Sequence, residues 1–312
     1  MHPAFSIIFL TTASGAGYGL LVLIAWGALV GHLAPQVGFG ICAFGSALGL
    51  VGAGLLSSLG HLGHPERAWR ALTQWRSSWL SREGVMALLT FLPALVFAWT
   101  WIVEGEVSRL SAWLSILGAV VTTVCTAMIY ASLKPILAWR NLWTVPVYLV
   151  LALYTGALLT ALLLHAYGLR GPFVAFLIAV TGLAATALKI GYWRFIDRTH
   201  SPSTAETATG LGSIGKVRML DPPHTEANYL MKEMGFRIAR KHSRKLRMLV
   251  MLAGFGLPIL LSLLAPAAPT GLAIALSLLA TLSGSLGILV ERWLFFAEAR
   301  HTVMLYYCAS HA

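Results

Sequence analysis

Two residues that can take up a proton, His61 and Glu83, bracket a run of arginines and tryptophans: Arg67, Trp69, Arg70, Trp75, Arg76, Trp79 and Arg82. Such a pair suits chemistry in which protons travel with electrons. A quinone is one example, since each ring oxygen needs a hydrogen-bond partner and its reduction or oxidation needs a proton path. The plain alternative is a membrane-interface belt, where Trp and Arg gather without any chemistry. Other groupings carry less. Gly210-Leu211-Gly212-Ser213-Ile214-Gly215 has GxGxxG spacing and is followed by Lys216, but no strand precedes it. Val217 also stands where a phosphate-binding loop needs Ser or Thr, so a flexible glycine turn is the better reading. Cys42, Cys125 and Cys308 are scattered and form no CxxC pair. The chain is therefore expected to supply neither an iron–sulfur cluster, a structural zinc site nor a disulfide framework. Haem between membrane helices needs facing histidines inside spans. Only His165 lies within one, near its outer end, and no haem is expected.

The elements that must position His61 and Glu83 are membrane helices. The 312 residues are 58% hydrophobic and 11% charged, with a mean hydropathy of +0.77. A soluble domain carries about 25% charged residues, so the composition predicts an all-α integral membrane protein. About 20 apolar residues cross the hydrocarbon core, and eight segments qualify: 5–31, 37–60, 84–103, 112–133, 145–167, 172–194, 247–265 and 270–295. They form a bundle of about eight transmembrane helices, read as a single polytopic membrane domain over 1–312. The opening residues Met1 to Phe5 lack a basic stretch and run into a long apolar segment, which reads as a retained first span. Glycines in spans one and two (Gly15, Gly17, Gly19; Gly38, Gly40, Gly45, Gly49, Gly52, Gly54) are expected to place both inside the bundle. Pro93 and Pro258 are expected to kink spans three and seven, with neighbouring groups re-satisfying the freed carbonyls.

Two connections are long. One is 61–83. The other, 195–246, is basic and ends in an amphipathic stretch from Asn228 to Arg247; a loop of that length reads as a partner surface or an ordinary solvated loop. Eight spans put both termini and connections 61–83, 134–144 and 195–246 on one side. That side holds nineteen Lys and Arg residues, Arg292 among them, against Arg109 and Arg170 on the other. The positive-inside rule makes the charged side, with both termini, cytoplasmic. The net charge of +11 is spread over short segments between apolar runs, which excludes a nucleic-acid-binding face.

The stretch His61-Leu62-Gly63-His64-Pro65-Glu66-Arg67-Ala68-Trp69, with Leu72, Leu80, Ser81 and Glu83, resembles the membrane anchor subunit of dimethyl sulfoxide reductase. A second block agrees in order and spacing: Tyr130, Ser132, Trp139, Trp143, Thr144 and Pro146. The resemblance covers residues 1–165 at least. It implies an anchor for a molybdopterin catalytic subunit and an iron–sulfur electron-transfer subunit, with a quinone (ubiquinone or menaquinone) bound by the anchor. It also implies His61 as the quinone hydrogen-bond partner and Glu83 as a proton relay, with Arg67 and Tyr130 as further candidates for orienting the head group. His64 stands where the family has a small residue; it either adds a proton carrier or faces water. The opening Met1-His2-Pro3-Ala4-Phe5-Ser6, and the segments Asp221 to Thr225 and Arg240 to His242, look like a sister group, the membrane subunit of membrane-bound sulfite dehydrogenase.

These readings converge on an expected function: electrons from sulfite oxidation pass through soluble partners on the cytoplasmic side of a bacterial inner membrane to a quinone near His61. Three alternatives stay open. The same scaffold could oxidise quinol to reduce dimethyl sulfoxide or another S-oxide, or serve as a structural tether with quinone bound elsewhere. The third, a solute transporter, is disfavoured by spans nearly free of charge, Lys189 being read as a residue that snorkels to the interface.

Overall fold

The computed structural model describes residues 4–62, 64–169, 172–199, 202–218, 220–221 and 238–307. Within them eight helices are long and apolar enough to cross a membrane. Lipid offers no hydrogen bonds, so each apolar run must close its own backbone ladder, and a helix does so within one segment. The spans are α1 (Phe5–Leu29), α2 (Val37–Ser57), α3 (Trp79–Trp99), α4 (Arg109–Ala131), α5 (Thr144–Ala166) and α6 (Pro172–Arg198). A short helix, α7 (Ala205–Thr209), follows in the long connection. The seventh span joins α8 (Ile238–Leu249), a π-helical stretch (Val250–Gly256) and α9 (Leu257–Leu264), and α10 (Thr270–Ala297) is the eighth.

The centre of the bundle is α1 against α5. A Cβ on Gly19 would lie 1.8 Å from the carbonyl oxygen of Ala152, and one on Gly156 would lie 2.2 Å from the carbonyl carbon of Gly19. Only glycine lets these backbones meet. Around this seam α1 also packs on α2, α4 and α10, while α5 packs on α4, α6 and α10. The glycine argument therefore holds for span one but only half for span two. On α2, Gly54 faces the α1 backbone, whereas Gly45, Gly49 and Gly52 point where an added Cβ would meet no atom of the described residues. The other interior helix is α5, whose own small residue Gly156 completes the seam.

The seventh span departs from α-helical geometry just before Pro258, which lies in the first turn of α9. A proline cannot donate to the carbonyl four residues earlier. That carbonyl, Gly254, instead accepts a hydrogen bond from Tyr154 Oη at 2.8 Å, and the adjacent Ala253 carbonyl accepts one from Ser283 Oγ at 2.7 Å. Neighbouring helices thus re-satisfy the backbone, as expected. At Pro93, by contrast, α3 stays α-helical on both sides.

Two helix boundaries shift in ways that matter. α3 begins at Trp79 rather than 84, with Ser78 as its N-cap, so Glu83 lies inside the helix and not at its mouth. Helix α8 begins at Ile238 and extends span seven outward; the rest of the amphipathic stretch from Asn228 falls outside the described residues. Gly210, at φ 71°, ends α7 in the left-handed conformation, so the glycine-rich run forms a turn. The face carrying the connections is closed by two contacts. Ser57 Oγ donates to the Ser6 carbonyl at 3.0 Å, and the Thr302 amide donates to the Pro135 carbonyl at 3.1 Å. Ser6 and Thr302 thus lie beside connections of the same side.

Candidate functional site

The connection after α2 is held onto α3 by packing and by one arginine. Leu72, on the 3₁₀ stretch Pro65–Gln74, packs where a Cβ on Gly84 would come within 2.7 Å of its Cδ2. Arg82 reaches back from α3, its Nε donating to the Trp75 carbonyl at 2.9 Å and its Nη2 to the Arg76 carbonyl at 2.7 Å. The same guanidinium lies 4.2 Å from the Trp79 ring centroid. Trp69 and Trp75 stay largely exposed on this surface.

Beneath the connection, Glu83 is 3% exposed. Its Oε1 accepts a hydrogen bond from Thr126 Oγ1 of α4 at 2.6 Å. Tyr130 stands one turn further along α4, on the same face. Its buried ring stacks on Tyr148 of α5 at 5.9 Å and meets Trp139, Phe295 and Phe296 edge-on. Thr126, Tyr18, Tyr148 and Arg292 also line a small cavity with Thr11, Ser14, Thr123 and Thr155, whose hydroxyls donate to carbonyls of their own helices. It offers about 20 Å³ of water-accessible space, room for about one water.

Of the five residues read from the sequence, the structure brings Glu83 and Tyr130 together. His64 and Arg67 stay apart from them. Both are exposed and both turn to Glu66, whose Oε1 lies 3.0 Å from His64 Nδ1 and 3.7 Å from Arg67 Nε. His61 closes the turn after α2, and its side chain falls outside the described atoms. A larger cavity of about 630 Å³ opens at the opposite end of the bundle, lined by Trp26, His32, Gln36 and Phe173 among others. It has no part in the Glu83 group.

The spans are not free of charge. Lys189 of α6 and Glu291 of α10 are both fully buried, with Nζ and Oε1 2.6 Å apart. Arg292, 2% exposed, binds the same carboxylate through Nε and Nη2. Its guanidinium lies 4.3 Å from the centroid of the Tyr148 ring. Lys189 therefore does not snorkel, and Arg292 does not belong to the solvated basic face. Adjacent acid and base inside an apolar helix were the available signal, because ionisable residues within spans pair with one another and mark function by default.

Sequence comparison places the chain in a family. The model of the DMSO reductase anchor subunit (DmsC) matches residues 1–297. The chain belongs to this family. The C-subunit of sulfite dehydrogenase from Allochromatium vinosum is 35% identical over 98% of this chain and 99% of its own length. The C-chain of anaerobic dimethyl sulfoxide reductase from Escherichia coli is 29% identical over 46% of this chain and 50% of its own. The anchor resemblance read from the two motif blocks is thus borne out far beyond residue 165, and the chain is a multi-pass membrane anchor subunit. The family match, rather than any lack of charge in the spans, is what argues against a transporter.

Proposed function

We propose that this anchor binds quinone beneath the 61–83 connection and passes it electrons from sulfite oxidation. A molybdopterin catalytic subunit and an iron–sulfur subunit would dock on the connection-bearing face. The iron–sulfur subunit would supply the electrons, and reduction to quinol takes two electrons and two protons. His61, at the end of the turn closing α2, donates a hydrogen bond to one quinone oxygen. Glu83 hands a proton to the bound quinone and is re-protonated from the protein side. Tyr130, Arg67 and His64 are secondary: Tyr130 shapes the wall behind Glu83, while Arg67 and His64 lie at the exposed edge, on the way in. The observation that carries this reading is Glu83 itself, a buried carboxylate in the second turn of α3 held by the Thr126 hydroxyl. A carboxylate in that setting is poised for proton exchange rather than for a surface ion pair.

Near full-length similarity to a sulfite dehydrogenase subunit favours sulfite over S-oxides as the partner's substrate. The excess of lysine and arginine on the connection face supports a cytoplasmic location for the partners, at a bacterial inner membrane. Membranes carrying the whole complex test the proposal. In His61→Ala and Glu83→Gln, sulfite-to-quinone turnover should fall by about 10²-fold or more, while sulfite oxidation by a soluble dye stays at the wild-type rate. Unchanged quinone-linked turnover in both variants would sink the site. Activity with S-oxides and quinol but not with sulfite would reverse the direction of flow.

A further inference from the structure

Glu83 is sealed from solvent, so a proton reaching it must pass through the protein. Its partner Thr126 lines the small cavity described above, and so does Arg292. Arg292 shares Glu291 with Lys189. Beyond Lys189 the ring of Trp193 is flanked by two cations, Lys189 Nζ at 4.9 Å and Arg247 at 5.3 Å from its centroid. Arg247 binds Asp197 through both terminal nitrogens, at 2.6 and 2.9 Å, and Glu298 through Nε at 2.9 Å. Asp197, Arg247 and Glu298 line a second cavity of about 310 Å³ with Ser243 and Arg300, at the cytoplasm-assigned ends of α6, α8 and α10. Glu298 lies seven residues after Glu291, two turns along on the same side of the chain.

Among the described residues, buried polar atoms without a protein partner mark this line. Tyr18 Oη and Tyr148 Oη lie at the first cavity, Tyr192 Oη and Trp193 Nε1 beside Lys189, and Glu298 Oε2 at the second. Buried polar groups are almost always satisfied, by ordered water where protein offers nothing. We propose that this line is a proton route, running from the α6/α8/α10 cavity through Glu298, Lys189 and the small cavity beside Thr126 and Arg292 to Glu83. The inference rests on the quinone reading of Glu83 given above.

The charge balance says which group moves the proton. Two cations share one buried carboxylate, so the cluster holds one charge in excess. Arginine keeps its proton in proteins, whereas lysine can release one. When Lys189 gives its proton through water and hydroxyls to the Glu83 carboxylate, the cluster becomes neutral; Glu298 then returns a proton to Lys189 from the second cavity. No electron is needed beyond those that reduce the quinone. Burial raises the Glu298 carboxyl above the ordinary carboxylate range, with Arg247 pulling it back.

The whole complex in proteoliposomes, with sulfite and a water-soluble quinone, tests the route. Glu298→Gln keeps an acceptor for Arg247 but carries no proton, and Lys189→Met removes the inner carrier while filling its space. Each should slow quinone-linked turnover by about 10²-fold, raise the solvent deuterium isotope effect, and leave dye-linked sulfite oxidation and photolabelling by a quinone analogue unchanged. Glu298→Gln decides, because the Lys189 variant could fail to assemble. Wild-type quinone turnover and isotope effect in Glu298→Gln overturn the route, while loss of turnover in a parallel His61→Ala keeps the quinone site itself standing.

Discussion

The connection after α2 and the interior beneath it use the same side-chain types under opposite conditions. Outside, Arg70, Arg76 and Arg82 lie 5.7, 5.4 and 4.2 Å from the centroids of the Trp69, Trp75 and Trp79 rings, and Glu66 gathers His64 and Arg67 in open solvent. Inside, Arg292 lies over Tyr148 and Phe295, at 4.3 and 4.9 Å, and Lys189 over Tyr192, at 4.1 Å. Both regions use aromatic faces to hold cations. Only the interior must hold its carboxylate out of reach of solvent. Exposed pairs are screened and contribute about 0–1 kcal/mol, so the outer group can change with whatever docks on it. A buried charge stripped of its partner has no solvent to fall back on, so the inner group cannot change one residue at a time.

The largest expected effect follows from that difference. Glu291→Leu leaves Lys189 and Arg292 facing each other without a counter-charge, and should cost about 3–5 kcal/mol. Thermal unfolding of the detergent-solubilised complex reads this out. Replacing the whole cluster, Lys189→Met with Glu291→Leu and Arg292→Met, should recover most of the lost stability, since apolar substitutes for buried ion groups are often neutral or better. Quinone-linked turnover should stay low in the triple variant. Recovery of both stability and turnover would reduce the cluster to a packing device.

A smaller effect belongs to Arg82, which bridges the two regions. Arg82→Ala removes two hydrogen bonds to carbonyls and one contact with Trp79. All are partly solvated, so the loss should be about 1–2 kcal/mol. Because Arg82 ties the connection to α3, retention of the soluble partners through size-exclusion chromatography should weaken as well. Full retention would place the docking surface elsewhere, with the long basic connection as the next candidate.

How much of this was legible in the sequence depended on the range of the interaction. Span number and order follow from runs of apolar residues, a local property, and the two motif blocks led to the family. Glu83 and Tyr130 were legible as candidates, but their joint burial through Thr126 was not, because it depends on how α3 and α4 pack. The Lys189–Glu291 pair joins residues about a hundred positions apart, and no local pattern links them. Arg292 was misassigned for a physical reason: span eight was ended at 295, and a basic residue near a helix end ordinarily reaches the interface. Adjacent Glu291 fixes it inward instead. The glycines of α2 show the converse failure, since composition cannot separate a close helix contact from a surface left open to lipid or to another protein.

The smallest expected effect lies at Glu66, and it tests the exposed side of the comparison. Glu66, His64 and Arg67 have side chains 61%, 66% and 57% exposed. Water can replace the carboxylate for both partners, and ordinary salt screens what attraction there is. Glu66→Ala should therefore change unfolding stability by no more than about 1 kcal/mol, an effect that shrinks further at high salt. Turnover with quinone should hold within a few-fold, because Glu83 and Tyr130 are untouched. Released from Glu66, Arg67 and His64 become free to meet an incoming head group, so any change should fall on the KM for quinone and not on kcat. A stability loss as large as that of Glu291→Leu would mean that a partner or a lipid surface buries this edge, and the contrast between the two regions would then have to be redrawn around the assembled complex.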